Sequence, residues 1–200
     1  MLSLSQEEIK KKLNSLYWNF EVGDNTNHNL KELFYLYKVK IEYSSTTEEK
    51  RFLNKHISLC LMSILEVVLY DFIVRLDEAT NHFPKTIDEN LRNKIKGYIA
   101  KKKIPHDVNP KQSRVYNYSF NQIVSIFREF NLLDTDVPRN YSIYNVLETA
   151  NKFRNRIHIY NWYNNFETNE EYVFTDKRLA ILEKITVEVI NTMEQKYQRW

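Results

Sequence analysis

Ile57-Ser-Leu-Cys-Leu-Met-Ser-Ile-Leu-Glu-Val-Val-Leu-Tyr-Asp-Phe-Ile73 is the most apolar stretch of the chain. Read at 3.6 residues per turn, its apolar side chains cover more than one face. A helix that is apolar nearly all round must be surrounded by other helices or form an interface. The flanks extend it. Ser44, Ser45, Thr46 and Thr47 offer cap oxygens, and Glu48 and Glu49 suit the first turn, so one long helix is predicted over residues 47–79. Within it, Ser58, Cys60, Ser63 and Glu66 make residues 57–69 too short and too polar to span a bilayer. Cys60 reads as buried core. A carboxylate at position 66 in such surroundings needs a partner.

Around this helix the sequence predicts more helices. Ser5 followed by Glu8 is a capping box, opening a helix to about residue 19. Gly23-Asp24-Asn25 reads as a break, with a second helix over residues 29–42 carrying Leu30, Leu33, Phe34, Tyr37 and Ile41 on one side. A fourth helix is expected over residues 87–102, followed by a loop of roughly fifteen residues marked by Pro105 and Pro110. Ser119 should cap a short helix, Ser142 the next, and Thr175 a last one bearing Leu179, Leu182, Ile185, Val189 and Met193. The predicted class is all-α: one domain over residues 1–200, with no repeat, low-complexity tract or linker.

Composition narrows the chemistry. Two glycines, Gly23 and Gly97, are too few for a phosphate loop or a dinucleotide fingerprint. A single cysteine excludes Cys-rich zinc sites and an internal disulfide, and the five histidines are scattered, so no metal is expected. The N-terminus lacks a signal-peptide pattern, and the expected location is cytoplasmic with no membrane partner. Net charge is +3. Between residues 91 and 114 the cations are Arg92, Lys94, Lys96, Lys101, Lys102, Lys103, Lys111 and Arg114, against one acid, Asp107. Such a block suits a polyanion, or it is a solvated helix end.

The chemically richest run is Phe153-Arg-Asn-Arg-Ile-His-Ile-Tyr-Asn-Trp-Tyr163. Arg154 and His158 are four apart, so on a helix they share one face, one turn apart. A fixed planar cation beside a group that titrates near neutrality suits phosphodiester chemistry. The same spacing is also met structurally. His158 near a helix end can hold carbonyls, Arg154 can pair with Glu148 or Glu171, and Arg156 lies on another face as a surface cation.

Arg154-Asn155…His158 on a late helix, flanked by a capped start, a polar aromatic loop and a closing amphipathic helix, resembles the HEPN superfamily of helical nucleotide-binding domains. The long apolar run from Met62 to Ile73 is similar to the central helix of such bundles. The resemblance covers residues 45–200 and leaves 1–43 as an N-terminal helical extension. Three residues separate the arginine and histidine here, where the family usually has more. The resemblance implies two long antiparallel central helices with shorter flanking ones, and a homodimer in which two motifs face one cleft. The apolar excess of the central helix fits such an interface.

The resemblance further implies metal-independent cleavage of RNA by attack of the 2′-hydroxyl on the adjacent phosphorus, with no cofactor. His158 would move the proton, Arg154 hold the phosphate, and Asn155 orient either. Glu66 would reach this site or mark an interface. Tyr160, two after the histidine, matches a position that a partner nucleotidyltransferase adenylylates in one toxin branch; packing or stacking on RNA is the preferred reading. With Lys101, Lys102 and Lys103 it forms the expected RNA-binding set. The expected function is an endoribonuclease, as a toxin or antiphage effector with a possible cognate antitoxin. The alternatives are a non-cleaving RNA- or nucleotide-binding module and a purely structural interaction protein.

Overall fold

A computed structural model of the chain describes residues 2–14, 20–77, 87–101, 106–107, 115–116, 118–133, 142–155 and 172–197. Seven helices appear among them: α1 (Gln6–Asn14), α2 (Phe20–Glu42), α3 (Thr47–Asp77), α4 (Glu89–Lys101), α5 (Phe120–Glu129), α6 (Ile143–Asn155) and α7 (Asp176–Tyr197). The fold is all-α. Among the described residues the one β feature is an antiparallel pair, β1 (His106–Asp107) with β2 (Val115–Tyr116), in register His106 to Tyr116. The sequence predicted only loop there, because two-residue strands are too short to show an alternating pattern.

The helix starts follow their caps. Ser5 Oγ accepts from the Glu8 amide at 3.2 Å while the Glu8 carboxylate accepts from the Ser5 amide at 2.7 Å. Thr46 and Glu49 repeat this reciprocal pattern at 3.1 and 2.9 Å, and Ser119 and Gln122 at 3.3 and 2.7 Å. Asp88 caps α4 through the Leu91 amide, and Thr175 caps α7 through that of Arg178. Ser142 opens α6, its carbonyl accepting from the amides of Asn145 and Val146. Asn131, at φ 46°, takes the left-handed conformation in the turn after α5.

Two expectations change. The second helix is not broken at Gly23-Asp24-Asn25; α2 runs straight through them from Phe20. A glycine costs a helix interior about 1 kcal/mol. Packing outweighs that cost, because Thr26, Leu30 and Leu33 are buried along the same helix. The second change concerns α3. Residues 57–69 alone read as too short and polar for a bilayer, but the continuous helix Thr47–Ile73 is long and apolar enough to cross one by length and composition. More than half of that stretch is buried inside this chain.

α3 is the axis of the bundle and packs against α2, α4, α5, α6 and α7. α2 runs antiparallel to it: Lys40 and Lys50 line one surface groove beside the connecting turn, and further along Glu32 is near enough to Cys60 for its charge to act on the thiol. The long antiparallel pair is therefore α2 with α3. α7 starts where these two meet. Its Asp176 accepts from Lys40 at 2.6 Å and from Asn54 at 3.1 Å, and Asn54 also donates to the Phe174 carbonyl at 2.9 Å. α7 thus runs alongside α3 and against α2, and α1 closes on it through Lys12 and Glu194. One continuous apolar core links all seven helices, from Leu2, Ile9 and Leu13 to Val189, Ile190 and Met193. Most of the apolar side chains of α3 from Ile57 to Ile73, Leu61, Leu65, Val68, Leu69 and Phe72 among them, are buried within the chain, while Leu59, Val67 and Tyr70 are half-buried. Most of that excess is therefore covered by the other helices of this chain.

Candidate functional site

Arg154 and Asn155 occupy the last turn of α6, where Lys152 and Arg154 suit the negative end of the helix dipole. Asn155 is half-buried. His158 and Tyr160 lie outside the described residues, as do Lys102 and Lys103. Lys101 ends α4 and is exposed.

The partner that Glu66 requires is Arg154. Its Nη1 donates to the Glu66 carboxylate across α6 and α3, and both side chains keep contact with solvent. Among the described residues no other acceptor holds Arg154. Glu148, one of the acids expected to pair with it, instead binds Arg128 at 2.8 Å; Glu171 lies outside the described residues. The Arg154 guanidinium carbon sits 5.9 Å from the centre of the Phe120 ring. Phe120 is the first residue of α5, placed by the Ser119 capping box. The ring of Phe120 on one side and the Glu66 carboxylate on another are the neighbours that position the guanidinium. Sequence reasoning missed Phe120, because thirty-three residues separate it from Arg154 and no local pattern joins them.

The neighbouring side chains make a cavity. Arg178 of α7 lies over the Phe153 ring, 4.7 Å from its centre. Between α3, α6 and α7 an opening of about 360 Å³ is lined by Met62, Val146, Phe153, Phe174, Leu179 and Leu182, with Arg154 and Arg178 as its charged lining groups among the described residues. Half of this was legible beforehand: Phe153 directly precedes the motif arginine. The contribution of Arg178 was not visible, since no local pattern joins α7 to the end of α6.

Asn151, one turn before Asn155, is buried and donates to the Asn121 side chain at 3.0 Å, tying α6 to α5 beneath the site. Cys60 offers no nucleophile. Burial and the nearby Glu32 push its thiol up to about 11, so it stays protonated at neutral pH. Among the described residues no group of three or more His, Cys, Asp or Glu side chains is placed to hold a metal ion.

The basic helix end is a separate feature. Ile95 and Ile99 turn one face of α4 into the core, leaving Lys94 and Lys101 exposed. Tyr98 packs on Phe130, 5.6 Å between ring centres, just past the end of α5. Arg154 sits at the other end of that helix, over Phe120. Ten residues of helix rise about 15 Å, so the lysine end and the arginine are well apart.

Comparison with protein-family models, with characterised proteins and with solved structures finds no match to this chain.

Proposed function

We propose that this chain is a metal-independent endoribonuclease of HEPN-like type, with Arg154 holding the scissile phosphate and His158 moving the proton. The observation that carries the reading is the setting of Arg154. It is a partly exposed guanidinium at the last turn of α6, with the Phe120 ring and the Glu66 carboxylate as neighbours, on the wall of an open cavity. Asn155 follows it directly and His158 comes three residues later in the chain. A planar, fixed fork with donors to spare is what a phosphodiester in transition to a charged pentacoordinate state needs.

In this mechanism the 2′-hydroxyl oxygen attacks phosphorus as a base takes its proton. The bond to the 5′-oxygen breaks, and an acid protonates that leaving group. The products are a 2′,3′-cyclic phosphate and a 5′-hydroxyl. Arg154 stabilises the added negative charge. His158 acts as base or acid, and a homodimer would bring a second motif to the same cleft. A cytoplasmic toxin or antiphage effector, with an antitoxin or a nucleotidyltransferase acting on Tyr160 as partner, is the biological role that accompanies this reading.

One observation favours a second reading. Glu66 already occupies one edge of the Arg154 fork, as in a module that binds RNA or a nucleotide without cutting it. Incubating labelled RNA with the protein in EDTA separates the two. Cleavage to cyclic-phosphate ends, lost in His158→Ala with helicity intact, supports the nuclease. Retention of RNA with no cleavage supports the binding module. Full cleavage by His158→Ala removes the reaction from this site.

A further inference from the structure

The polar groups on the cavity between α3, α6 and α7 already answer to other parts of the chain. Arg154 is paired with Glu66, so the two charges offset each other at that edge. Arg178 lies over the Phe153 ring and has a further interaction besides. The Thr149 hydroxyl donates to the Asn145 carbonyl at 2.8 Å, and the Asn145 side-chain oxygen accepts from Arg128 at 3.1 Å. The Phe174 carbonyl accepts from Asn54 at 2.9 Å. The rest of the described lining is chiefly apolar, and half-buried Ser58 adds a hydroxyl. Each helix gives one apolar row three or four residues apart: Leu59 and Met62 from α3, Val146 and Ala150 from α6, Leu179 and Leu182 from α7. At about 360 Å³ the space lies at the small end of ligand pockets and has room for about a dozen waters. Most of those waters would face hydrocarbon, so an apolar molecule that displaces them is favoured.

We infer that this cavity binds one neutral, mainly hydrocarbon molecule with at most a single hydroxyl-sized polar group, met by Ser58. An anion would give up its hydration to walls that cannot replace it, and the Glu66 carboxylate beside Arg154 would oppose it. A cation would meet the guanidinium groups of Arg154 and Arg178. A molecule with several polar groups would leave most of them against Met62, Leu179 and Leu182. The inference goes beyond the reaction proposed at Arg154 and needs no RNA, so either can fail without the other.

The full chain is titrated with N-phenylnaphthylamine, an uncharged fluorophore that brightens in apolar surroundings. Decanol and decanoate then compete for the bound probe at neutral pH. The expected result is one-to-one binding that salt does not alter, with decanol displacing the probe at concentrations about tenfold or more below those of decanoate. Ala150 is half-buried on the α6 wall, so Ala150→Phe fills the cavity without changing charge and should weaken probe binding about tenfold or more. Ile181 is 37% exposed on the same lining, so Ile181→Glu and Ile181→Lys bring opposite charges to the opening with little effect on folding. A neutral occupant should lose affinity to the same degree in both, since each removes one apolar side chain. The Ile181 pair decides the matter if Ala150→Phe alters the thermal melt. Absence of probe binding, or decanoate competing as well as decanol, overturns the inference. So does a gain in Ile181→Lys against a loss in Ile181→Glu, which is the response of an anionic occupant. Unchanged affinity in Ala150→Phe with an unaltered melt, or in both Ile181 variants, places the probe elsewhere and overturns it as well.

Discussion

Arg154 answers to two groups at once, the Glu66 carboxylate and the Phe120 ring, and its variants should separate structure from chemistry. Arg154→Lys keeps a charge for Glu66 but loses the planar fork. Arg154→Ala loses both. Because the pair remains open to solvent, its removal should cost no more than about 1 kcal/mol of stability. Cleavage should behave differently. Losing an oriented donor to a charged transition state costs about a hundredfold or more, so the lysine variant should be nearly as slow as the alanine one. Thermal melts beside single-turnover cleavage rates check this. A lysine variant with near wild-type rates would reduce Arg154 to a distant charge or to packing. The pairing was half legible in the sequence, because a carboxylate amid Ile64, Leu65, Val67 and Val68 reads as one that needs a partner, although in the fold Glu66 also reaches solvent. Which cation answers it was not legible, since that depends on how α6 crosses α3.

At the scale of elements, cap chemistry was the most readable signal and tertiary packing the least. Thr46 and Glu49 announce the start of α3, Ser119 and Gln122 that of α5, because a cap is satisfied within four residues. Gly23 misled, because its local cost is smaller than the burial of Leu30 and Leu33 on the same helix. The α3 cap has a pH signature. Hydrogen bonds from the Thr46 and Ser45 amides and hydroxyls hold the Glu49 carboxyl down to about 2, from an ordinary 4.5. A depressed carboxylate contributes stability above its unfolded value, and that contribution disappears as pH falls through the folded one. The melting temperature should thus decline between about pH 4.5 and pH 2. Glu49→Gln keeps the cap but cannot titrate, so its decline should be shallower over that window. Parallel slopes for the two proteins would remove Glu49 as a contributor. The basic end of α4 makes a different expectation. Neutralising Lys101, Lys102 and Lys103 together should weaken RNA binding and flatten its dependence on salt, because fewer counterions are released. Cleavage at saturating RNA should change little, since Lys101 ends α4 near the far end of α5 from Arg154. An unaltered salt slope would make this block a solvated surface.

The whole molecule raises the question of where the bundle begins. The resemblance covers residues 45–200 and sets 1–43 aside as an extension, a division drawn from motif positions alone. Leu2, Ile9, Leu13, Leu30, Leu33 and Tyr37 nevertheless belong to the same apolar core as α3 and α7, each no more than 6% exposed. α2 is also the antiparallel partner of α3, and Lys40 at its end ties down the first turn of α7 through Asp176. Burying a large apolar side chain stabilises by about 1.5–3 kcal/mol, so these six together contribute on the order of 10 kcal/mol, an upper estimate. Single domains have only about 5–15 kcal/mol in total. A fragment of residues 45–200 would lose that contribution and uncover the side of α3 on which α2 packs. The expected outcome is a fragment that aggregates or melts without a cooperative transition, while the full chain unfolds in one step. Circular dichroism melts and sedimentation of both proteins at matched concentration check it. A soluble fragment with a sharp transition would mean that the helices after residue 44 close a core by themselves, with α1 and α2 packed on a bundle complete without them.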